Sequence, residues 1–243
     1  MITDLETAAQ ELIRALKPLQ FSDPVSHTYN PLEYAWASHQ QYLSRFGRGK
    51  KRVLFLGMNP GPWGMAQVGV PFGEIPAVRN WMGIETAVNK PANEHPKRPI
   101  EGFACQRSEV SGRRLWGLFS DRYPLADDFF ADHFVSNFCP LVWMGETGRN
   151  ITPDKLPKSE SIPVDEACRL HLSKTIEQLD PEFLIGVGAF AEKQLKETVK
   201  AYFPGRDFKI GKTLHPSPAS PAANKGWPDV PLQQLIDLGV WSA

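Results

Sequence analysis

The stretch Arg52-Val53-Leu54-Phe55-Leu56-Gly57-Met58-Asn59-Pro60-Gly61-Pro62-Trp63-Gly64-Met65-Ala66-Gln67 decides the architecture. Val53 to Leu56 is an unbroken apolar run behind Lys50, Lys51 and Arg52. A strand without polar alternation is buried on both faces, the pattern of a parallel sheet. The run then gives way to Gly57, Pro60, Gly61, Pro62 and Gly64, which can neither extend the strand nor start a helix at once. In an open parallel sheet, ligands bind just beyond the carboxyl ends of the strands. An ordinary connection there takes about 2–6 residues. This one is longer and rich in glycine and proline, so it is read as one wall of a site.

Working outward, residues 4–17 place Leu5, Ala8, Ala9, Leu12, Ile13 and Leu16 at helical spacing, with Pro18 as the stop. Pro31 opens a second helix to about residue 45, closed by Gly47 and Gly49. Beyond the central loop, 75–81 reads as a short helix closed by Gly83, and 89–102, with Pro91, Pro96 and Pro99, as a polar surface excursion. A helix over 109–121 precedes a second apolar strand, 133–141, interrupted by Asn137. A polar loop over 145–162, a helix over 163–179, a third strand over 183–188 and a helix over 189–202 follow. A more polar fourth strand, 207–214, runs into His215-Pro216-Ser217-Pro218, and a last helix covers 231–238. Strands separated by helices require right-handed crossovers, hence a parallel sheet with helices on both faces. The expectation is an α/β fold: one domain over 1–243, a three-layer α/β/α sandwich around a four-stranded parallel sheet.

The totals exclude several classes. The 243 residues suffice for one large α/β core, and 42% hydrophobic with 22% charged residues describes a globular chain. Basic and acidic residues balance at 27 each, so any nucleic-acid contact must come from local clusters. Cys105, Cys139 and Cys168 show no paired spacing, which fits a reducing compartment and leaves too few thiolates for an all-cysteine iron–sulfur cluster. Asp4, Glu6 and Glu11 argue against a signal peptide, and no apolar run is long enough to span a bilayer. The expected location is the cytoplasm, beside the nucleoid, in a bacterium, or the nucleus in a eukaryote.

Polar residues at the strand ends are few: Asn59 after the first, Asn137 within the second and His215 after the fourth. Two amides and an imidazole with no carboxylate lack a strong general base, and no Cys or Ser adjoins the His as an activated nucleophile. What remains suits recognition of a planar polar ligand and stabilisation of charge on a leaving group. Each residue has an ordinary alternative: Asn-Pro is a common turn, His215 could be a hydrogen-bonded rim histidine, and Phe72, Trp63 and Trp227 could be core. Asn137 is costly to bury unless its amide is satisfied.

Gly57-Met58-Asn59-Pro60-Gly61-Pro62-Trp63-Gly64-Met65-Ala66-Gln67 with Gly69-Val70-Pro71-Phe72-Gly73, and His215-Pro216-Ser217-Pro218 leading to Ala223-Asn224-Lys225-Gly226-Trp227, resemble the single-strand-selective monofunctional uracil-DNA glycosylases. Tyr29-Asn30-Pro31-Leu32-Glu33-Tyr34-Ala35-Trp36, Ser108-Glu109-Val110-Ser111-Gly112-Arg113, Asn137-Phe138-Cys139-Pro140-Leu141 and Arg149-Asn150-Ile151-Thr152-Pro153 extend the likeness over nearly the whole chain. The resemblance implies excision of a flipped base from DNA in base excision repair. His215 then stabilises charge on the departing uracil and Asn59 positions the attacking water. Asn137 reads the pyrimidine edge, Phe72 stacks on the ring, and the backbone at Met58 and Gly61 lines the pocket. Space beside that glycine accommodates a substituent at the pyrimidine 5-position through a displaceable water, so 5-hydroxymethyluracil is an expected substrate and thymine is not. No cofactor, metal or catalytic Lys is implied, and the product is an abasic site without lyase cleavage. DNA contacts fall to Ser217, Pro218, Asn224, Lys225, Gly226 and Trp227, which wedge into the stack, and to Arg149, Asn150 and Lys155; the expected form is a monomer on single- or double-stranded DNA. Two positions depart from the family: Ala219 stands where vertebrate members carry Arg, and Trp63 where Phe is usual. Rival readings are a glycosylase for deaminated purines, a non-catalytic damage-binding module and a nucleoside hydrolase.

Overall fold

The computed structural model describes residues 4–242. In chain order the elements are α1 (Asp4–Leu16), β1 (His27–Tyr29), α2 (Pro31–Tyr34), α3 (Trp36–Phe46), β2 (Val53–Gly57) and α4 (Met65–Val68). A π-type turn over Ala77–Trp81 and a 3₁₀ turn over Gly102–Ala104 lead to α5 (Val110–Arg122), α6 (Ala126–Asp132), β3 (His133–Asn137), β4 (Val142–Met144) and β5 (Asn150–Ile151). After a 3₁₀ turn at Pro153–Lys155 come α7 (Lys158–Leu179), β6 (Phe183–Val187), α8 (Ala189–Tyr202), β7 (Lys209–Thr213), α9 (Pro221–Gly226) and α10 (Asp229–Asp237).

The main sheet runs β3-β2-β6-β7, parallel throughout, with Val53 opposite His133 and Phe183, and Phe183 opposite Lys209. β2 and β6 are buried at every position, as their unbroken apolar sequences require; the more polar β7 is an edge. On one face α8 sits so close to β6 that a Cβ on Gly186 would lie 2.3 Å from Glu192 N. On the other face Phe55 meets Phe119 of α5 at 5.0 Å, and Phe119 stacks on Phe129 of α6 at 4.5 Å. His133 belongs to this aromatic layer: its Nδ1 lies 2.9 Å from Phe129 O and its Nε2 accepts from Trp241 Nε1 at 3.0 Å. Both ring nitrogens are used as a neutral imidazole would use them, and burial depresses its pKa to about 4.

Several boundaries differ from the sequence expectations. A second, antiparallel sheet, β1-β4-β5, is assembled from strands of two or three residues. These are too short for a periodicity to register. The strand expected over 133–141 ends at Asn137, and the loop expected over 145–162 contains β5 and the first turn of α7. α7 begins before Pro163, at Lys158, and carries that proline in its second turn. Ser22 N and Oγ donate to Glu160 Oε1 at 3.0 and 2.5 Å and fasten that end. The single helix expected from Pro31 breaks at Ala35 into α2 and α3. α6 and α9 were not expected, and the last helix starts earlier, at Asp229. The excursion over 89–102 is anchored by buried His95 and Ile100 rather than lying loose on the surface. No described helix is long and apolar enough to cross a membrane.

Candidate active site

Because the main sheet is parallel, the carboxyl ends of its strands share one rim, and the central loop leaves that rim from β2. Register sets Gly57 beside Asn137, and the ladder continues past the sheet: Phe138 N donates to Gly57 O and Cys139 N to Met58 O, both at 2.9 Å. Gly57 must be glycine. A Cβ there would stand 2.3 Å from Asn137 Oδ1 and 2.6 Å from the Phe72 ring, so these three residues converge on one point. Asn137 Nδ2 has only a weak acceptor, Met65 Sδ at 3.3 Å. Asn59 donates from Nδ2 to Leu141 O at 3.1 Å, while its Oδ1 is buried with no partner.

Phe72 holds a backbone that non-glycine residues seldom adopt, with φ at +52°. The surroundings impose it: Trp116 Nε1 donates to Phe72 O at 3.1 Å, and α5 approaches so closely at Gly112 that a Cβ would sit 2.0 Å from that oxygen. Such strain persists only where neighbours over-determine it, and it concentrates at functional sites. The loop itself is clamped by Gln67, which donates to Pro62 O and Pro99 O at 3.2 and 3.0 Å and accepts from Glu101 N at 2.8 Å.

His215 follows β7. Leu214 N donates to Gln234 Oε1 of α10 at 2.7 Å, and Ser217 N donates to His215 Nδ1 at 3.1 Å. Nδ1 is therefore the acceptor, and the proton of the neutral ring sits on Nε2. Burial lowers its pKa, which favours that neutral form. The imidazole stands over Gly188, whose φ of +92° and lack of a side chain make the room; a Cβ would lie 3.1 Å from His215 Cβ. From there Phe190 of α8 reaches Phe138, next to Asn137, at 5.9 Å between rings.

A profile of the uracil DNA glycosylase superfamily matches residues 44–234. The single-strand selective monofunctional uracil DNA glycosylase of Bos taurus is 45% identical over 225 residues, covering 93% of this chain and 82% of the bovine protein. The Rattus norvegicus counterpart is 44% identical, covering 93% of this chain and 80% of its own length. The chain belongs to the single-strand-selective monofunctional uracil-DNA glycosylase family. The crystal structure of wild-type SMUG2 from Pedobacter heparinus superposes with a TM-score of 0.58 at 18% identity, covering 86% of this chain and 87% of that one, and shows the shared α/β fold.

Membership in a DNA glycosylase family makes DNA the macromolecule this protein meets, and the remaining candidates divide by what holds them. Arg149 and Lys225 are exposed, whereas Lys155, also exposed, pairs with Asp154 at 3.0 Å. Asn150 lies in β5 with its Oδ1 buried and unpartnered. Asn224 is occupied at both ends, accepting from Arg114 Nη2 at 2.8 Å and donating to Pro218 O at 2.9 Å. Trp227 is half-buried, its Nε1 donating to Arg114 O at 3.2 Å. Ser217 N is spent on His215, Pro218 is exposed, and Gly226 closes α9.

Three residues on α5 or at its amino-terminal cap escaped the sequence reading as parts of the site. Arg114 holds the His215 loop by donating to Pro216 O at 3.1 Å, and Trp116 holds Phe72. Glu109 packs beneath Gly61 and Gly64, which corrects the expectation of a rim without a carboxylate. Two further arginines, Arg98 and Arg107, lie 5.1 and 5.5 Å from the Trp63 ring. The helix itself was expected over 109–121, but only the Ser-Glu-Val-Ser-Gly motif at its start hinted at a part in the site. Among the described residues no group of three or more His, Cys, Asp and Glu side chains could hold a metal ion.

Proposed function

We propose that this protein is a monofunctional uracil-DNA glycosylase whose rim residues cut the N-glycosidic bond of a flipped deoxyuridine. The observation that carries the reading is Asn59: its amide nitrogen is tied to Leu141 O while its Oδ1 is buried without a partner. A buried acceptor left open costs about 1–3 kcal/mol, so it is retained for a donor that arrives from outside. A water donating to Oδ1 would be held for attack. An amide cannot take its proton, and none need be taken before the sugar has become oxocarbenium-like. The charge leaves with the base, and the Nε2–H of a neutral His215 is the donor that meets it on a uracil carbonyl oxygen. Asn137 pairs with the N3–H and O4 edge, and Phe72 stacks on the ring. Met58 and Gly61 supply backbone walls, with the space beside Gly61 open to a 5-hydroxymethyl group.

None of residues 57–73, 137 or 215 is a lysine. A Schiff base with the sugar therefore has no amine in the site, and the product is an abasic strand left uncut. A monomer acting on single- and double-stranded DNA is the form proposed, with Arg149, Lys155 and the 217–227 segment meeting the backbone.

The test is single-turnover release of free base from oligonucleotides carrying uracil, 5-hydroxymethyluracil, xanthine or hypoxanthine in one context, with EDTA present. Release of uracil, and a loss of about 10²–10³-fold in Asn59→Ala with oligonucleotide binding retained, is the expected result. Purine release without uracil release would assign the same rim to deaminated purines, and binding of abasic DNA without any release would make it a damage-binding module.

A further inference from the structure

Trp63 is the aromatic side chain of the loop between β2 and α4, and the fold does not use it as it uses other indoles. Trp81, Trp116, Trp227 and Trp241 each donate the indole N–H to a partner within the fold. Trp63 is half-buried, and its indole N–H donates to nothing among the described residues. A ring with an apolar body and a wet polar tip belongs at interfaces. Its company is two cations. The Arg98 and Arg107 guanidiniums lie 5.1 and 5.5 Å from the ring centre, within cation–π range but wider than the ~3.5–4.0 Å of carbon atoms in contact. The indole is flanked rather than sealed.

Among the described residues neither arginine forms an ion pair with a carboxylate. Arg98 is fixed by backbone instead, its Nε donating to Gly148 O and its Nη1 to Lys97 O, both at 2.9 Å. Arg107 is exposed, and among the described residues its guanidinium donates no hydrogen bond. Gly148 packs against the same segment: a Cβ there would lie 3.3 Å from Arg98 Cγ and 3.4 Å from Lys97 Cβ. Arg149, next in the chain and exposed, is thereby carried to this surface. Exposed Glu101 and Glu146 lie in the neighbouring segments, so the cations are in excess rather than alone. In a chain of balanced charge, a local excess of cations around an aromatic ring is the combination that holds a nucleic-acid strand.

We propose, on the reading of this rim as a base-flipping pocket, that Trp63 is a stacking platform for the base next to the flipped nucleotide, with Arg98 and Arg107 meeting the phosphates beside that base. Trp63 follows Gly61, a wall of the pocket, by two residues, so the base that reaches it is an immediate neighbour. Every base has a π-face, and the contact therefore serves any flanking sequence. Flipping a nucleotide deprives its neighbours of a stacking partner. The indole supplies a replacement, which lowers the cost of holding the strand open.

Trp63→Leu keeps apolar volume against the core and removes the aromatic face. The probes are single-stranded oligonucleotides with one uracil whose 5′ neighbour, 3′ neighbour or neither is a tetrahydrofuran abasic site. The readout is the protein concentration that gives half the maximal single-turnover rate. In the wild type, loss of the base at one of the two neighbours should raise that concentration about tenfold, the scale of one base–aromatic stack. Trp63→Leu should be about tenfold weaker on the intact strand and show no further rise when that base is removed. Trp63→Phe, which keeps a face, should restore the sensitivity. The same response to each missing base in the wild type and in Trp63→Leu makes the indole merely structural and overturns the proposal. If Trp63→Leu does not fold, Arg107→Ala carries the test: the slope of log affinity against log salt should shrink by about 0.7, one single-strand phosphate contact, and an unchanged slope overturns the platform. Wild-type protein that releases no uracil would remove the pocket reading itself, which is distinct from an active enzyme indifferent to its neighbouring bases.

Discussion

At the scale of single residues, the proposed site would work by withholding chemistry. Asn59 and Asn137 are amides that neither gain nor lose a proton, and His215 is held neutral by burial with Nδ1 filled by Ser217 N. In the neutral ring that burial favours, the proton is on Nε2, where the proposal needs a donor for the departing anion. His215→Leu removes that donor and leaves the backbone course intact. Its single-turnover rate on a uracil oligonucleotide should fall about 10²–10³-fold, the cost of losing one preorganised donor; a rate near wild type would exclude His215 from the chemistry. Asn59 and His215 were legible in the sequence because each follows a strand and adjoins a proline-rich turn. Glu109 was not, since a carboxylate at the start of an amphipathic helix is an ordinary cap.

At the scale of elements, α5 is the part on which the site is assembled. Glu109 at its cap supports the loop after β2, Gly112 and Trp116 hold Phe72, and Arg114 ties down the loop after β7. The sequence places the helix nearly correctly, 109–121 against Val110–Arg122, with a serine near its start as the signal. Its role was hidden because its partners are remote: Arg114 reaches Pro216 across 102 residues of sequence. Arg114→Ala should release Pro216, Ser217 and Asn224 together and let His215 drift. A misplacement on the order of 1 Å costs up to about 10²-fold, so the rate should fall roughly 10–100-fold while the melting temperature changes by only a few degrees. A rate loss explained entirely by lost folded protein would refute this positioning role. α9 shows the opposite failure. Ser220 and Pro221 are cap and first-turn residues, with Ser220 Oγ accepting from Ala223 N at 3.3 Å, but the surrounding prolines masked the signal.

At the scale of the whole molecule, buried histidines, among them His39 and His133, link stability to acidity. His39, bonded through Nδ1 to Gly69 O at 2.8 Å, and His133 are both buried with pKa values depressed to about 4. An unfolded histidine titrates near about 6.5. Between these values the unfolded chain binds the extra protons, so stability is complete above about 6.5 and is lost as the pH falls toward about 4. Each histidine contributes up to about 1.4 kcal/mol per pH unit in that window. Melting temperature measured from neutral pH to about pH 5 should decline, and His39→Gln should reduce the slope; a flat profile would mean that neither imidazole is held neutral by burial.

What the chain determined by itself was local and periodic: two fully apolar strands, amphipathic helices, and the glycine–proline breaks that put Asn59 and His215 at strand ends. These follow from steric and solvation preferences acting within a few residues. Tertiary structure alone decided that Gly57, Phe72 and Asn137 meet at a point, that Phe72 is forced to a left-handed backbone, and that a helix cap places a carboxyl oxygen beside Gly61. Those arrangements depend on close packing between segments distant in sequence. No local pattern encodes the distance between two surfaces that touch only after the chain has closed.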